Sequence, residues 1–508
     1  MARSRTSSAG ELLVELRRDD SVPLHRQLEQ ELRGAIRSGR LAAAAVLPST
    51  RALAEQLGVS RGVVVEAYEQ LVAEGYLSSQ PGGTTRVCAN VSESPLTSKG
   101  RPTSPVHRID FGYGRPDVSQ FPRQAWLRSL RRVLNEAPSE RLSYLEPRGA
   151  PELCEALATY LNRVRGTAAN PDRIVICNGF AQALSLVTHV LAANGGMRIA
   201  VEDPGQRDAI RAAGRSGLDV VPIPVDDDGI VVETLRRLDP DAVVLTPAHH
   251  FPTGAVLSPE RRAALVSWAT QRDRLILEDD YDAEYRYDRE PIGALQGLAP
   301  EHVIYAGSAS KTLAPGLRLG WLIAPPRLVD QVAATKEAID RGSASLEQLA
   351  FADFLSRGEF DHHLRRMRPI YRARRDTLLS ALGRDLPELR PVGASAGLHV
   401  LAWLPAAVDE AALVECAAEV GVGVDGVTPY RSTDRDGPGG LLFGYGTATE
   451  SVIEEGVRLI AGVLDRARTS AAVSGVRPHG RPQQRLTTSP GETNKPVPEI
   501  AKAVGEPG

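Results

Sequence analysis

The sequence predicts an α/β protein with α+β parts, and three observations predict it. Between residues 108 and 370, short apolar runs alternate with helical patterns, which argues a mostly parallel sheet flanked by helices. Beyond about residue 370 the alternation gives way to the strand-like runs Ala396–Trp403 and Leu441–Tyr445, a small C-terminal α+β part. Ahead of both, residues 15–87 hold short helices joined by a glycine-bearing turn and followed by a hairpin pattern, the outline of a winged helix-turn-helix.

Length and composition bound what the chain can be. At 508 residues it exceeds one ordinary core, so at least two domains are expected. Hydrophobic content of 42% and charged content of 24% are those of a soluble globular protein. No apolar run is long enough to span a bilayer, and Met1–Gly10 lacks a signal-peptide core, so a cytoplasmic protein without a membrane partner is expected. Cys88, Cys154, Cys177 and Cys416 lie far apart and read as reduced thiols, with no metal-ligand spacing. The pairs His249-His250 and His362-His363 read as structural or polar contacts, because neighbours on a strand face opposite ways. The net charge of −3 gives no general reason to expect nucleic acid, so that reading rests on a local motif.

In chain order, Leu24, Leu28, Leu32, Ala35 and Ile36 recur at helical spacing until Gly39. Leu47-Pro48-Ser49-Thr50-Arg51 starts a second helix that ends at Gly58. Ser60 reads as the N-cap of a third, whose buried stripe is Val63, Val64, Ala67, Tyr68 and Leu71. The run Leu77–Val87, turning at Gly82-Gly83, is the expected wing. Helix–glycine–helix also occurs in ordinary bundles. Through residue 90, eleven arginines and no lysine face ten acids, so this segment is nearly neutral. Any affinity for nucleic acid must come from placed arginines and helix N-termini. Residues 88–107 are rich in Ser, Pro, Thr and Gly and read as a flexible linker. Strands are then expected at Arg173–Ile176, Arg198–Glu202, Val220–Pro224, Ala242–Thr246, Leu275–Glu278, His302–Tyr305 and Gly320–Ala324 within a domain spanning 108–465. The tail, residues 466–508, carries no apolar period and reads as disordered.

Three strand ends carry chemistry. Lysine occurs only at 99, 311, 336, 495 and 502, and Lys311 sits in a small-residue loop after an apolar run. An amine can lose its proton and condense with an aldehyde, which a guanidinium cannot. Ser308, Ser310 and Arg318 around it are suited to a phosphate. The run Arg274–Leu277 leads into Glu278-Asp279-Asp280-Tyr281. A pyridoxal phosphate site needs a carboxylate at the ring nitrogen and gains from a phenol near the ring's 3-oxygen. Asp279 and Tyr281, two apart on an extended chain, point the same way. The third piece, Ile174–Leu184, is a strand, a glycine turn at Gly179 and a helix start at Phe180, Ala181 and Gln182, whose amides would cradle the phosphate.

Taken in order with Tyr144-Leu145-Glu146-Pro147-Arg148-Gly149, Glu202-Asp203-Pro204-Gly205 and Phe251-Pro252-Thr253-Gly254, these pieces resemble the fold-type-I pyridoxal-phosphate-dependent transferases, the aspartate aminotransferase superfamily. Residues 22–87 resemble the GntR-type winged helix through Leu47–Arg51, Leu57–Arg61, Glu74–Leu77 and Gly82-Gly83-Thr84. The combination resembles the MocR-type (GabR-like) transcriptional regulators. That resemblance implies a double-stranded DNA operator faced by Arg51, Ser60, Arg61, Gly62, Thr84, Thr85 and Arg86. It also implies a domain-swapped homodimer and pyridoxal phosphate joined to Lys311 as an aldimine, from which a small amine or amino-acid effector would displace the lysine. Tyr144 matches a position that reaches the phosphate of the neighbouring subunit, or is an ordinary interface tyrosine. Arg431 lies where such proteins place a ligand-carboxylate arginine, or is a solvated surface arginine. Two departures stand out: Gln206 replaces an aromatic residue that covers the ring, and Phe251 replaces an asparagine that bonds the ring oxygen. Both weigh against full turnover, so a regulator that senses an amino compound, or pyridoxal phosphate itself, is expected. The alternatives are a working aminotransferase with an accessory DNA-binding domain, and a large domain that is only a dimerisation scaffold.

Overall fold

The computed structural model describes residue 14 and residues 16–79, 83–88, 107–287, 292–433 and 437–473. The wing tip Gln80–Gly82, most of the 88–107 linker and residues 474–508 lie outside the described residues. The chain divides between Pro105 and Val106 into two compact units.

In the first unit, helices Leu24–Arg37, Thr50–Leu57 and Arg61–Ala73 precede an antiparallel pair in which Leu77 faces Val87 and Ser78 faces Arg86. Ser49 caps the second helix by accepting from the Ala52 N–H at 3.2 Å, and Gly58 at φ 63° ends it in the left-handed region that glycine adopts without strain. Leu28, Leu32, Ile36, Leu53, Val64, Ala67, Tyr68, Leu71, Leu77 and Val87 form one core. Val63 is only half-buried, so the stripe of the third helix runs Val64, Ala67, Tyr68, Leu71. Counting from Val64 gives the i, i+3, i+4, i+7 set, and Val63 falls at its edge.

The second unit is built on an eight-stranded sheet in the order Ile174–Cys177, Gly320–Ile323, Val303–Ser308, Leu275–Asp280, Ala242–Leu245, Arg198–Asp203, Asp219–Asp226 and Gly229–Ile230. Gly320–Ile323 is antiparallel to both neighbours, Gly229–Ile230 is antiparallel to its own, and the remaining pairings are parallel. Both faces are covered, which is why the strands read as near-continuous apolar runs. Leu275 and Leu277 pack with Ala183, Leu184, Val187, Val329 and Val332 on one side. Ile276 packs with Leu265, Trp268 and Val303 on the other. Each such side chain, fully buried, contributes about 1.5–3 kcal/mol. The smaller part is an antiparallel sheet in the order Arg390–Val392, His399–Trp403, Gly440–Gly444, Asp425–Gly426, with helices Glu410–Glu419 and Glu450–Val473.

That last helix corrects the expected domain end: it runs on to Val473, past residue 466 where a structureless tail was expected. Ile453, Val457, Ile460, Val463, Leu464 and Ala467 continue one buried stripe, which holds the segment helical. The parallel strands Ala242–Leu245, Leu275–Asp280, Val303–Ser308 and Arg198–Asp203 all end at one edge of the sheet, where open α/β sheets place their ligands.

Candidate functional site

At that edge lies a cavity of about 580 Å³, lined by Gly179, Phe180, Ala181, Asp279, Tyr281, Ser308, Ser310, Lys311 and Arg318, with Tyr113, Gln206, Arg207, Arg211, Phe251 and Tyr430. The strand Leu275–Asp280 delivers Asp279, which is 3% exposed. One carboxylate oxygen accepts from Gln206 Nε2 at 2.6 Å, and the other is buried with no hydrogen-bond partner. Burial raises the Asp279 pKa to about 8, against the Gln206 hydrogen bond and the Lys311 charge, which lower it. Tyr281 is buried beside it, with its hydroxyl 3.1 Å from His249 Nδ1.

Lys311 follows the strand Val303–Ser308. Its Nζ donates to the Gly114 carbonyl at 2.5 Å and lies 5.4 Å from the centre of the Tyr113 ring. Burial holds its pKa below the ordinary value, although Asp282 and Asp279 oppose this. A larger share of neutral amine follows, the form that attacks an aldehyde.

The opposite end of the cavity is suited to a phosphate. Gly179 has φ 95°, and a Cβ on Gly320 would stand 2.6 Å from the Gly179 Cα, so the two chains meet here only as glycines. The helix Phe180–Ala193 starts at this junction, and N–H groups in the first turn of a helix have no carbonyl acceptor within it. Phe180 and Ala181 line the cavity, as do Ser308, Ser310 and Arg318, whose guanidinium donates to the Asn178 carbonyl. Gln182 works from behind. Its backbone N–H bonds the Gly179 carbonyl at 3.1 Å. Its side chain accepts from the Asn178 N–H at 2.8 Å and donates to Asp340 at 2.6 Å. That locks the turn instead of touching the cavity.

Tyr144 is 86% exposed and outside this chain's cavity lining, which leaves it open to a neighbouring subunit as the resemblance implies. Other residues lie elsewhere than the sequence reading implied. Arg431 is buried, donates to the Pro438 carbonyl at 2.6 Å and sits 5.8 Å from the Trp403 ring; Tyr430 before it faces the cavity instead. Gln206, read as the loss of a ring cover, holds the Asp279 carboxylate. Phe251 stacks on Tyr113 with centroids 4.0 Å apart and offers the cavity no hydrogen bond. Arg207 and Arg211, which the sequence reading missed, were signalled only by a basic helix start after Asp203-Pro204-Gly205. Tyr113 was missed too, because nothing in its local sequence ties it to a strand end more than a hundred residues away.

Polar atoms of His249, Asp282 and His399 lie within 4.8 Å of one another. Both His249 nitrogens are committed, Nδ1 to Asp282 at 3.0 Å and Nε2 to the Gly393 carbonyl at 3.2 Å. The group is a hydrogen-bonded cluster, not a ligand set. His363 gives its Nε2 to the Thr312 carbonyl at 2.9 Å, a structural contact just after Lys311.

In the N-terminal unit, Arg51, Ser60, Arg61 and Gly62 are exposed at the starts of the second and third helices. Ser60 sits at the N-cap but makes no capping hydrogen bond. Arg61 Nε is 3.4 Å from Thr50 Oγ1. On the wing Thr84 and Arg86 are exposed, whereas Thr85 is half-buried and its carbonyl accepts from the Leu47 N–H at 2.9 Å. Arg61→Ala is expected to weaken specific DNA binding by about 1–3 kcal/mol if the guanidinium reads a base edge. Titrations against specific and scrambled duplexes at two salt concentrations check this. An even loss across sequences with a smaller salt slope would assign Arg61 to phosphate, and no loss would remove it from the interface.

Residues 24–87 match the bacterial regulatory proteins of the gntR family, and residues 106–457 match aminotransferase class I and II. The probable rhizopine catabolism regulatory protein MocR of Rhizobium meliloti is 32% identical over a match that spans both of these regions, 94% of this chain and 99% of its own. The chain belongs to the MocR-type regulators. A second MocR-type relative, the pyridoxine biosynthesis transcriptional regulator PdxR of Corynebacterium glutamicum, is 32% identical over 87% of this chain and 96% of that one. Among solved structures, the multiple substrate aminotransferase of Thermococcus profundus superposes with a TM-score of 0.66 at 28% identity, covering 73% of this chain and 93% of that one. This MocR-type protein is therefore a helix-turn-helix transcriptional regulator with a DNA-binding head and an aminotransferase-like domain, a fold that implies dependence on pyridoxal phosphate. Among the described residues, no helix is long and apolar enough to cross a membrane.

Proposed function

We propose that this regulator holds pyridoxal phosphate at Lys311 and senses a small amine or amino acid there, acting as a domain-swapped, cytoplasmic homodimer on an operator. The observation that carries the reading is the buried, unpartnered Asp279 oxygen in the same cavity as Lys311. A buried polar atom without a partner is rare, and this one fits a protonated ring nitrogen. When bound, the cofactor supplies an aldehyde for amine exchange and an electron-withdrawing ring. The chain's own residues do the rest. Asp279 would supply the counter-charge, since a protonated ring nitrogen beside it opposes the rise that burial causes. The helix start at Phe180 and Ala181 with Ser308, Ser310 and Arg318 would hold the phosphate, and Lys311 presents an amine whose pKa burial lowers. Phe251 and Tyr113 cover one side with apolar surface.

A tethered winged helix binds two half-sites well only if a dimeric domain sets their separation. An amine changes that separation only by favouring one arrangement of the dimer. Sensing therefore requires exchange at Lys311 and not a completed transamination. The test uses full-length protein on the DNA upstream of its own gene, with a panel of amines and amino acids. At least one is expected to shift the visible absorbance and the DNase footprint over the same concentrations. Footprint changes that never track the absorbance would sink the reading. Sustained turnover at roughly one per second or faster with a keto-acid acceptor would favour the working enzyme.

A further inference from the structure

Behind Tyr281 lies a polar chain that the cofactor reading leaves unused. Asp282 follows Tyr281 directly, and its carboxylate approaches His249 Nδ1 at 3.0 and 3.3 Å. The Tyr281 hydroxyl lies 3.1 Å from that same nitrogen. On its other side, His249 Nε2 meets the Gly393 carbonyl at 3.2 Å. A carbonyl and a carboxylate both accept, so the arrangement suits a ring in which both nitrogens donate, the imidazolium. His249 and Asp282 are 1% and 2% exposed, and the packing fixes them, since a Cβ on Gly397 would fall 2.2 Å from His249 Cε1 and 2.4 Å from an Asp282 oxygen.

We propose that His249 and Asp282 form a buried imidazolium–carboxylate pair that positions the Tyr281 hydroxyl, turning its proton into the Lys311 cavity and setting the proton affinity of a cofactor bound there. The phenol oxygen accepts a share of the Nδ1 hydrogen, so its own hydrogen is free to donate forward. His249 and Asp282 are positioning residues: neither lines the cavity.

The other charged and titratable groups around His249 are consistent with this. Burial by itself lowers the His249 pKa, but the Asp282 charge and hydrogen bond raise it above the ordinary value, with Arg286 opposing. From the small domain, His399 packs with ring centroids 4.8 Å away. It donates Nε2 to the Pro252 carbonyl at 3.2 Å and is held neutral, its pKa pushed well below the usual range by burial and by the His249 charge. On its own loop, His250 is likewise held neutral, its pKa lowered to about 3 by burial first and then by His249. From the cavity side, Lys311, Asp279 and Tyr113 face the same cluster and act on Asp282 or Tyr281. With Asp282 keeping His249 protonated, the Tyr281 hydroxyl donates forward, and a hydrogen bond given to a cofactor oxygen favours negative charge there and so lowers the proton affinity of the linked nitrogen. Without that carboxylate His249 loses its proton and the hydroxyl turns back to it.

This inference rests on pyridoxal phosphate being held at Lys311, and the test separates the two. Full-length protein loaded with pyridoxal phosphate is titrated by visible absorbance. Asp282→Asn, which keeps the shape and removes the charge, is expected to raise the midpoint by about one unit or more, tenfold in proton affinity. The double variant with His249→Gln should move it little further than the larger single change, as coupled residues do. In a Tyr281→Phe background the Asp282→Asn shift should shrink by at least about half, because the relay is cut. A folded, loaded Asp282→Asn protein with an unmoved midpoint overturns the proposal. Wild-type protein carrying nitrogen-15 in its ten histidines provides a variant-free measurement. One imidazole should remain doubly protonated at about pH 8, well above the ordinary histidine pKa of roughly 6.5, and no such signal overturns the pair. Failure to form any borohydride-fixed cofactor at Lys311 would instead refute the reading on which this rests.

Discussion

Lys311→Ala protein is expected to lose borohydride-fixed cofactor completely, with its footprint indifferent to amines, while its operator affinity stays near wild type. Lys336, the other lysine among the described residues, is fully buried and paired with Asp340 at 2.8 Å, so it cannot substitute. Truncating Lys311 removes one hydrogen bond, to Gly114, worth about 0.5–1.5 kcal/mol. The backbone of its loop is held independently, since the Ala309 N–H bonds the Leu319 carbonyl at 3.0 Å and the Leu313 N–H bonds the Ala309 carbonyl at 2.9 Å. The fold should persist and the chemistry should not. Peptide mass mapping after reduction gives the first readout and footprinting the second. Fixation at another lysine, or a normal amine response without Lys311, would remove this residue from the centre of the mechanism.

Asp280→Ala is expected to destabilise the large domain by about 3–5 kcal/mol, the cost of leaving one member of a buried ion pair alone. Asp280 accepts from Arg165 Nε at 2.6 Å and from the Tyr305 hydroxyl at 2.7 Å, and the two charged side chains are 1% and 2% exposed. Burial by itself would lower the Arg165 pKa, but the Asp280 charge outweighs it and the pKa is raised. Without that carboxylate the guanidinium keeps its charge in an apolar setting, and the strand that presents Asp279 loses its anchor. Trp126, Trp268, Trp321 and Trp403 all lie in this unit, so tryptophan fluorescence in a urea titration follows it selectively. A loss below about 1 kcal/mol would mean that the guanidinium finds other partners or water, as surface pairs do.

The contiguous parts of the site were legible. Lys311, Asp279, Tyr281, Ser308, Ser310 and Arg318 flank apolar strands, and a strand's end and side-chain alternation can be read from neighbours alone. Phe180 and Ala181 followed from a glycine turn opening a helix. Gln182 did not behave as its position implied: at the third place in the helix its amide is already used and its side chain points back to Asn178 and Asp340. Arg431 rested on likeness of sequence position, which does not state where a side chain turns.

The sequence by itself determined the order of the two folds, the sheet's buried strands and which side chains stand at the strand ends, because each is written in short-range periodicity and turn residues. Only the tertiary structure decided which distant groups meet. Gln206 reaches Asp279, the Gly114 carbonyl takes the Lys311 amine, and Asp282 and Gly393 meet the two ring nitrogens of His249. Those pairings span from thirty-odd to nearly two hundred residues, as from Gly114 to Lys311, and are set by the sheet's register and the packing of the small domain. A side chain's partner across such a gap is fixed by where the core places both backbones, and no local pattern carries that information.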